Sequence, residues 1–309
     1  MADWLMVSVR AALYVDLALL FGLPLFGLYA LNGAQRHSVL PLRAWIAGLA
    51  LLGLALSALG IVAMTASMGG VPLSGVDRDS LTLVITQTSI GTAWQARICG
   101  LLVTALFAWA VGQRKGVVMF SLITVAAGLS LASLAWTGHG AASEGRAGLF
   151  HLWADIIHLL AAGAWIGGIA AFCLLLFRRA DVMTSEHLHL SHRALDRFSV
   201  VGSIVVGFIV ASGVVSGYML VGPAHVTELP FTLYGQLLLA KLALFAGMLI
   251  LAATNRFRLT PGLQAAIANG NTARAIAALR RSLACEAEAA LVILGLVAWL
   301  GTLAPPMSN

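Results

Sequence analysis

HLWADIIHLLAAGAWIGG, residues 151–168, sets two histidines and an aspartate at the head of an otherwise hydrocarbon-soluble run. Spacings of four and seven residues place His151, Asp155 and His158 on one face of a helix. Ionisable groups inside such a helix are costly in lipid and mark functional sites by default. The stretch therefore predicts a membrane-spanning helix that carries a polar stripe along its first turns.

The rest of the chain agrees. Of its 309 residues 60% are hydrophobic and 10% charged, with a mean hydropathy of +0.95, whereas about a quarter of the residues of an ordinary globular domain are charged. Apolar runs of about 20 residues, enough to cross a bilayer core, cover approximately 9–31, 45–68, 95–112, 116–137, 150–177, 198–221, 232–253 and 284–303. The expected architecture is an all-α, polytopic transmembrane bundle of eight helices, one domain over 1–309. Arg10 and Asp16 interrupt the first apolar run, which predicts that it is retained as a span and not cleaved as a signal. Cys99, Cys173 and Cys285 are dispersed and form no CxxC pair, so they suggest packing and neither a disulfide framework nor a thiolate metal site.

A net charge of +6 and a pI near 9.8 do not point to nucleic acid, because the basic residues sort by membrane side. Thirteen of the 18, Arg36, Arg43, Arg114, Lys115, Arg178, Arg179, Arg193, Arg197, Arg256, Arg258, Arg274, Arg280 and Arg281, fall in or beside the odd-numbered loops. Four, Arg10, Arg78, Arg97 and Arg146, fall on the other side, and Lys241 sits within a span. Positive loops stay cytoplasmic, so both termini are expected to be periplasmic, in a multi-pass protein of the bacterial inner membrane. The periplasmic loop 69–94 reads as a turn followed by an amphipathic surface segment. The segment 259–283 reads as a cytoplasmic interfacial helix whose arginines suit anionic membrane lipid.

With that orientation, Asp16, Arg97, Asp155, His158 and Lys241 lie in the outer halves of their spans, roughly 3–15 Å below the outer interface at about 1.5 Å of rise per residue. Above them come Met68, His139, Glu144, His151, Met219, His225 and Glu228. Imidazole and thioether suit copper, and a carboxylate can complete a site for the oxidised ion. Calcium and magnesium demand several oxygen ligands and fit poorly. The candidate metal ligands are thus His139, His151, Asp155, His158, Met68, Met219 and His225, with Lys241, Asp16 and Arg97 as charge-compensating groups. Lys241 either pairs with Asp16 or Asp155 or reaches towards the interface; Arg97 is open to the same two roles. His187, His189 and His192 read as a solvated loop, and Glu286 and Glu288 as an interfacial network with Arg280 and Arg281.

No GxSxG, HExxH, Walker or dinucleotide fingerprint occurs, so an enzyme is not expected. Bis-histidine haem would need axial histidines paired across helices, and only His158 lies well inside a span; a haem-binding electron carrier is a distant alternative.

Three stretches, RFSVVGSIVVGFIVASGVVSGY (197–218), LYGQLLLAKLALFAGMLILAATNRFRL (233–259) and LRRSLACEAEAALVILGLVAWLGTLAPP (279–306), together with HLLAAGAWIGG (158–168) and TGHG (137–140), resemble the CopD family of bacterial inner-membrane copper-resistance proteins, including its PcoD-like and YcnJ-like branches. The resemblance implies eight transmembrane helices and a role in copper homeostasis, usually the movement of copper from periplasm to cytoplasm with a CopC-like periplasmic carrier. By matching position it connects His139, His151, Asp155, His158 and Lys241 with the family's polar core. The first helix departs from it: YVDLALLFG carries Asp16 where some relatives carry a histidine. The leading expectation is a copper transporter; the alternative is a protein that binds, buffers or delivers copper at the periplasmic face without transporting it.

Overall fold

The computed structural model describes residues 4–33, 35–110, 116–138, 145–178 and 183–306, and every regular element among them is helical. In hydrocarbon each backbone N–H and C=O must be satisfied within its own segment, which leaves the helix as the spanning form for such sequences. Eight helices are long and apolar enough to cross a membrane: α1 (Trp4–Ala30), α3 (Leu42–Gly69), α5 (Ser89–Ala110), α6 (Val117–Ala132), α7 (Gly145–Leu176), α8 (Ser185–Leu220), α9 (Leu233–Thr254) and α11 (Ala273–Leu300). Three short helices join them: α2 (Gln35–Ser38), α4 (Arg78–Gln87) and α10 (Thr260–Ala268). A π-helical turn, Asn255–Leu259, links α9 to α10. The expected eight spans are present.

Two helices run beyond the hydrocarbon-soluble stretches that announced them. α8 begins at Ser185, where the Thr184 hydroxyl accepts the His187 N–H at 3.3 Å, so the histidine-bearing segment read as a loop is helical. There His187 Nε2 pairs with the Leu175 carbonyl at 2.9 Å, and His192 sits 3.4 Å from Asp196. α11 begins at Ala273 and absorbs 273–283, the latter part of the segment expected to lie at the interface, while α10 takes Thr260–Ala268. Hydropathy records only the part of a helix that meets lipid, whereas capping and charge spacing extend helices into water. The stretch 69–94 contains the expected turn and surface helix: Asp77 caps α4 by accepting the Ser80 N–H at 2.8 Å.

α1 is the central post, packed against α3, α6, α7 and α11. Its crossing with α7 is close because glycine meets glycine: a methyl built on Gly22 would lie 2.2 Å from the Gly163 carbonyl oxygen and 2.6 Å from the Gly167 Cα. Small residues four apart permit such backbone contact in membranes. Below the crossing, Phe26 and Phe172 meet edge to face at 5.1 Å, and Phe172 meets Phe198 at 5.3 Å.

The two chain ends share one face of the bundle, where the Arg10 guanidinium donates to the Gly301 carbonyl at 2.9 Å and Trp4 meets Trp299 at 5.2 Å. On the opposite face, arginines close helix C-termini. Arg36 donates to the Gly27 and Leu28 carbonyls (2.7 and 3.1 Å), Arg197 to Ala30 (3.1 Å), and Arg280 to Leu176 and Arg178 (2.7 and 2.8 Å). The last carbonyls of α1 and α7 would otherwise lack donors and leave the negative end of the macrodipole unopposed.

Two outcomes check this packing. Gly22→Val, which forces α1 from α7, is expected to cost about 1–3 kcal/mol as an overpacked core does, read as a lowered thermal midpoint in detergent, while Gly48→Val, which meets open space, leaves it unchanged. The Ser80 amide and hydroxyl hold the exposed Asp77 carboxyl below its ordinary pKa. Its cap is therefore present above the usual aspartate range and lost as pH falls through the lowered value, which amide exchange across 78–87 would register.

Candidate functional site

The polar stripe of α7 occupies the half of the helix nearest the chain termini. His151 is 1% exposed, Asp155 24%, and His151 Nε2 stands 3.7 Å from Asp155 Oδ1. That is an ionic distance and too long for a hydrogen bond. Neither His151 ring nitrogen has a hydrogen-bond partner among the described residues. α8 lies alongside α7 and presents two serines one turn apart. The Ser216 hydroxyl donates to Asp155 Oδ1 at 2.9 Å, and Ser212 Oγ lies 3.0 Å from His158 Nδ1.

The second pair fits one tautomer of His158, because the Ser212 hydroxyl has backbone carbonyls to donate to, Phe208 at 2.5 Å and Ile209 at 3.2 Å. A hydroxyl has one proton, and that of Ser212 is directed to the Phe208 carbonyl at 2.5 Å. With the proton so directed, Ser212 Oγ accepts from His158 Nδ1, and that assignment leaves the lone pair on Nε2. A ring held through its other nitrogen is the arrangement in which histidine serves as a metal ligand.

α9 closes the group. Lys241, half-buried, lies within electrostatic range of both Asp155 and His158, and Tyr234 within range of Asp155. Of the two carboxylates open to Lys241, it is Asp155 that the fold brings to it. Tyr234 also lines a cleft of about 370 Å³ on the termini face, together with His225, Glu228 and Thr232. His225 Nδ1 meets the Val221 carbonyl at 3.2 Å, donating if protonated there. Tyr234 is the residue that the cleft shares with the surroundings of Asp155.

The other expected residues are distributed differently. Met219 is half-buried on α8 beyond Ser216, whereas Met68 is 59% exposed at the end of α3, which packs on α1, α4 and α5. His139 and Glu144 lie outside the described residues. Asp16 and Arg97, both buried, stand in the α1, α3 and α5 group. Arg97 Nε donates to Ser133 Oγ at 2.8 Å, and its charge faces Tyr14. Asp16 sits against Gly53 just on the termini side of the midpoint of α1, at the inner limit of the outer half expected of it.

Glu286 requires a correction. It does not open its helix in an interfacial network: it lies midway along α11, 3% exposed, and accepts a short hydrogen bond from the Asn255 amide at the start of the π-helical turn. Cys173 of α7 is close enough to sense its charge. Because α11 starts eleven residues before its apolar run, Arg280 and Arg281 precede Glu286 on one continuous helix, and Arg280 is engaged with the last carbonyl of α7 and with that of Arg178 just beyond it.

Sequence reading missed Ser212, Ser216, Tyr234 and Asn255. The serine pair had a signal, small hydroxyl residues four apart in IVASGVVSGY; Tyr234 and Asn255 had none. Among the described residues no three of His, Cys, Asp and Glu converge as a preformed metal cage.

Comparison with known proteins places this geometry in context. The family model described as copper resistance protein D-like, N-terminal domain, matches residues 1–149, and that described as copper resistance protein D matches 192–300. The polar stripe of α7 lies between the two. A copper resistance protein D of Pseudomonas syringae pv. tomato is 45% identical over 311 residues, 99% of each chain. Inner membrane protein YebZ of Escherichia coli (strain K12) is 27% identical over 84% of this chain and 85% of its own. Copper transport protein CutJ of Bacillus subtilis (strain 168) is 31% identical over 79% of this chain and 44% of its own. No solved structure matches.

The serine that orients His158 can be tested directly. Ser212→Ala is expected to weaken copper binding to the purified protein about 10–100-fold, the usual effect of losing a hydrogen bond behind a ligand, whereas Ser212→Thr restores it. Equal affinities in chelator competition for all three proteins would mean that the hydroxyl does not position the ring.

Proposed function

Since the chain belongs to the copper resistance protein D family, we propose that it takes copper at the termini face, passes it to His151, Asp155 and His158, and conducts it across the inner membrane to the cytoplasm. The family is one of copper resistance and transport membrane proteins and not of enzymes, and the eight apolar helices make this chain a multi-pass membrane protein. Under the proposal the whole chain is one transmembrane domain, both termini are periplasmic, and a separate CopC-like carrier delivers the ion. The observation that carries the reading is the 3.0 Å contact between His158 Nδ1 and Ser212 Oγ, one turn below Asp155, which leaves Nε2 of the ring outside that contact.

The chemistry follows from the surrounding charges. Capture falls to His225 in the cleft, with His139, Met68 and Met219 as outer donors. A copper ion arriving between His151, Asp155 and His158 meets two neutral imidazoles and one anion, a donor set suited to a borderline metal. Lys241 neutralises Asp155 before the ion arrives and is displaced, or loses its proton, once the metal supplies the positive charge. Of the other two groups expected to compensate charge, Arg97 donates to Ser133 and Asp16 has no hydrogen-bond partner among the described residues, so the role falls to Lys241.

One observation favours the binding-only alternative. Between His158 and Cys173 α7 is apolar for about 22 Å at 1.5 Å per residue, so the ion has no continuous polar path along that helix. Copper accumulation in proteoliposomes separates the readings. Transport predicts uptake that falls at least tenfold in His158→Ala and Asp155→Asn at equal protein loading. Copper bound stoichiometrically to protein, with none reaching the vesicle lumen, would leave holding and delivery as the function.

A further inference from the structure

Asp16 has no part in the copper-side cluster and no conventional structural role. It is 2% exposed near the midpoint of α1, and neither carboxylate oxygen has a hydrogen-bond partner among the described residues. Gly53 of α3 makes room for it: a methyl on Gly53 would stand 2.6 Å from Asp16 Oδ2 and 3.0 Å from a Leu101 methyl. An ionised carboxylate does not persist unpaired in such surroundings; it takes up a proton or holds a cation. A metal cation would require several oxygen ligands, and the α3 and α5 residues against Asp16, Gly53 and Leu101, offer none from their side chains.

The seam between α3 and α5 continues the polar thread in both directions. Ser57, one turn from Gly53 towards the termini face, and Thr104, one turn from Leu101 towards the opposite face, are each fully buried with a hydroxyl that lacks a partner among the described residues. Above Ser57, whose carbonyl accepts the Trp94 indole N–H at 2.9 Å, a small cavity of about 40 Å³ is lined by Arg10, Tyr14, Met64, Trp94 and Arg97. Neither charged group near this side of Asp16 bonds its carboxylate, although Arg97 Nη2 and Arg10 Nε are also buried without a hydrogen-bond partner among the described residues. Arg97 is bonded to Ser133 and faces Tyr14, and Arg10 donates to the Gly301 and Thr137 carbonyls. α7 and α11 pack on α1 as well; the former carries His151, Asp155 and His158 in the cluster with α8 and α9, the latter Glu286 bonded to Asn255.

We propose that Asp16 is an exchangeable proton site within the α1, α3 and α5 group, reached through the Ser57 and Thr104 hydroxyls and separate from the histidine and aspartate cluster on α7. A proton enters as H⁺ from water, neutralises the carboxylate, and leaves by the same atoms, so no other reactant is needed. Where the copper-transport reading holds, and only there, this proton is the exchangeable charge available to couple to metal movement.

Infrared difference spectroscopy between acidic and alkaline buffer, on the full-length protein in liposomes, tests the site without copper. The expected result is a protonated-carboxyl C=O band that titrates in the unmodified protein and in His158→Ala and is missing from Asp16→Asn. Gly53→Ala, which crowds the carboxylate while keeping it, is expected to shift the band. A band that does not titrate, or one unchanged in Asp16→Asn, overturns the proposal. If Asp16→Asn proves unstable, the Gly53→Ala spectrum decides alone: an unshifted band counts against the site. A separate vesicle measurement with a pH-sensitive dye during copper addition reads the coupling. Its failure beside a titrating band would remove the transport reading and leave the proton site standing.

Discussion

Backbone contact between α1 and α7 at Gly22, Gly163 and Gly167 is the constraint on which the other features rest. In lipid, apolar surface gains little from burial against another helix, so association depends on close fit and on the few polar contacts it makes possible. The crossing brings α7 against the central post and fixes which of its faces is left for α8. Asp155 and His158 stand on that remaining face, where the serines of α8 meet them, with His151 one turn before Asp155.

α1 thereby divides the buried charge into two populations. On the α7, α8 and α9 side the groups are held by neighbours: Asp155 by Ser216, His158 by Ser212, with Lys241 close by. On the α3 and α5 side Asp16 has apolar packing on both flanks, and Arg97 is turned to Ser133 and Tyr14. The first population is the one to which the proposed copper role is assigned, and the solitary carboxylate of the second is the one proposed to exchange a proton.

The face opposite the termini shows how one property of the sequence can serve two ends. Loop arginines orient a chain during insertion. Here Arg36, Arg197 and Arg280 also donate to the final carbonyls of α1 and α7. Membrane helices that end at the same face all need such donors, and the charges gathered there by topology are within reach.

Much of this was legible in one dimension. Eight helices followed from apolar runs of bilayer length, because hydrocarbon tolerates no other way of satisfying the backbone, and the stripe on α7 followed from helical period alone. Only the tertiary structure decided which carboxylate Lys241 approaches, which serine His158 meets, and that Glu286 is buried against Asn255 while Asp16 has no hydrogen-bond partner among the described residues. The physical reason is range: spacing along a helix governs neighbours within two turns, whereas a hydrogen bond between helices depends on crossing angle and rotation, set by contacts such as Gly22 on Gly167 more than a hundred residues apart.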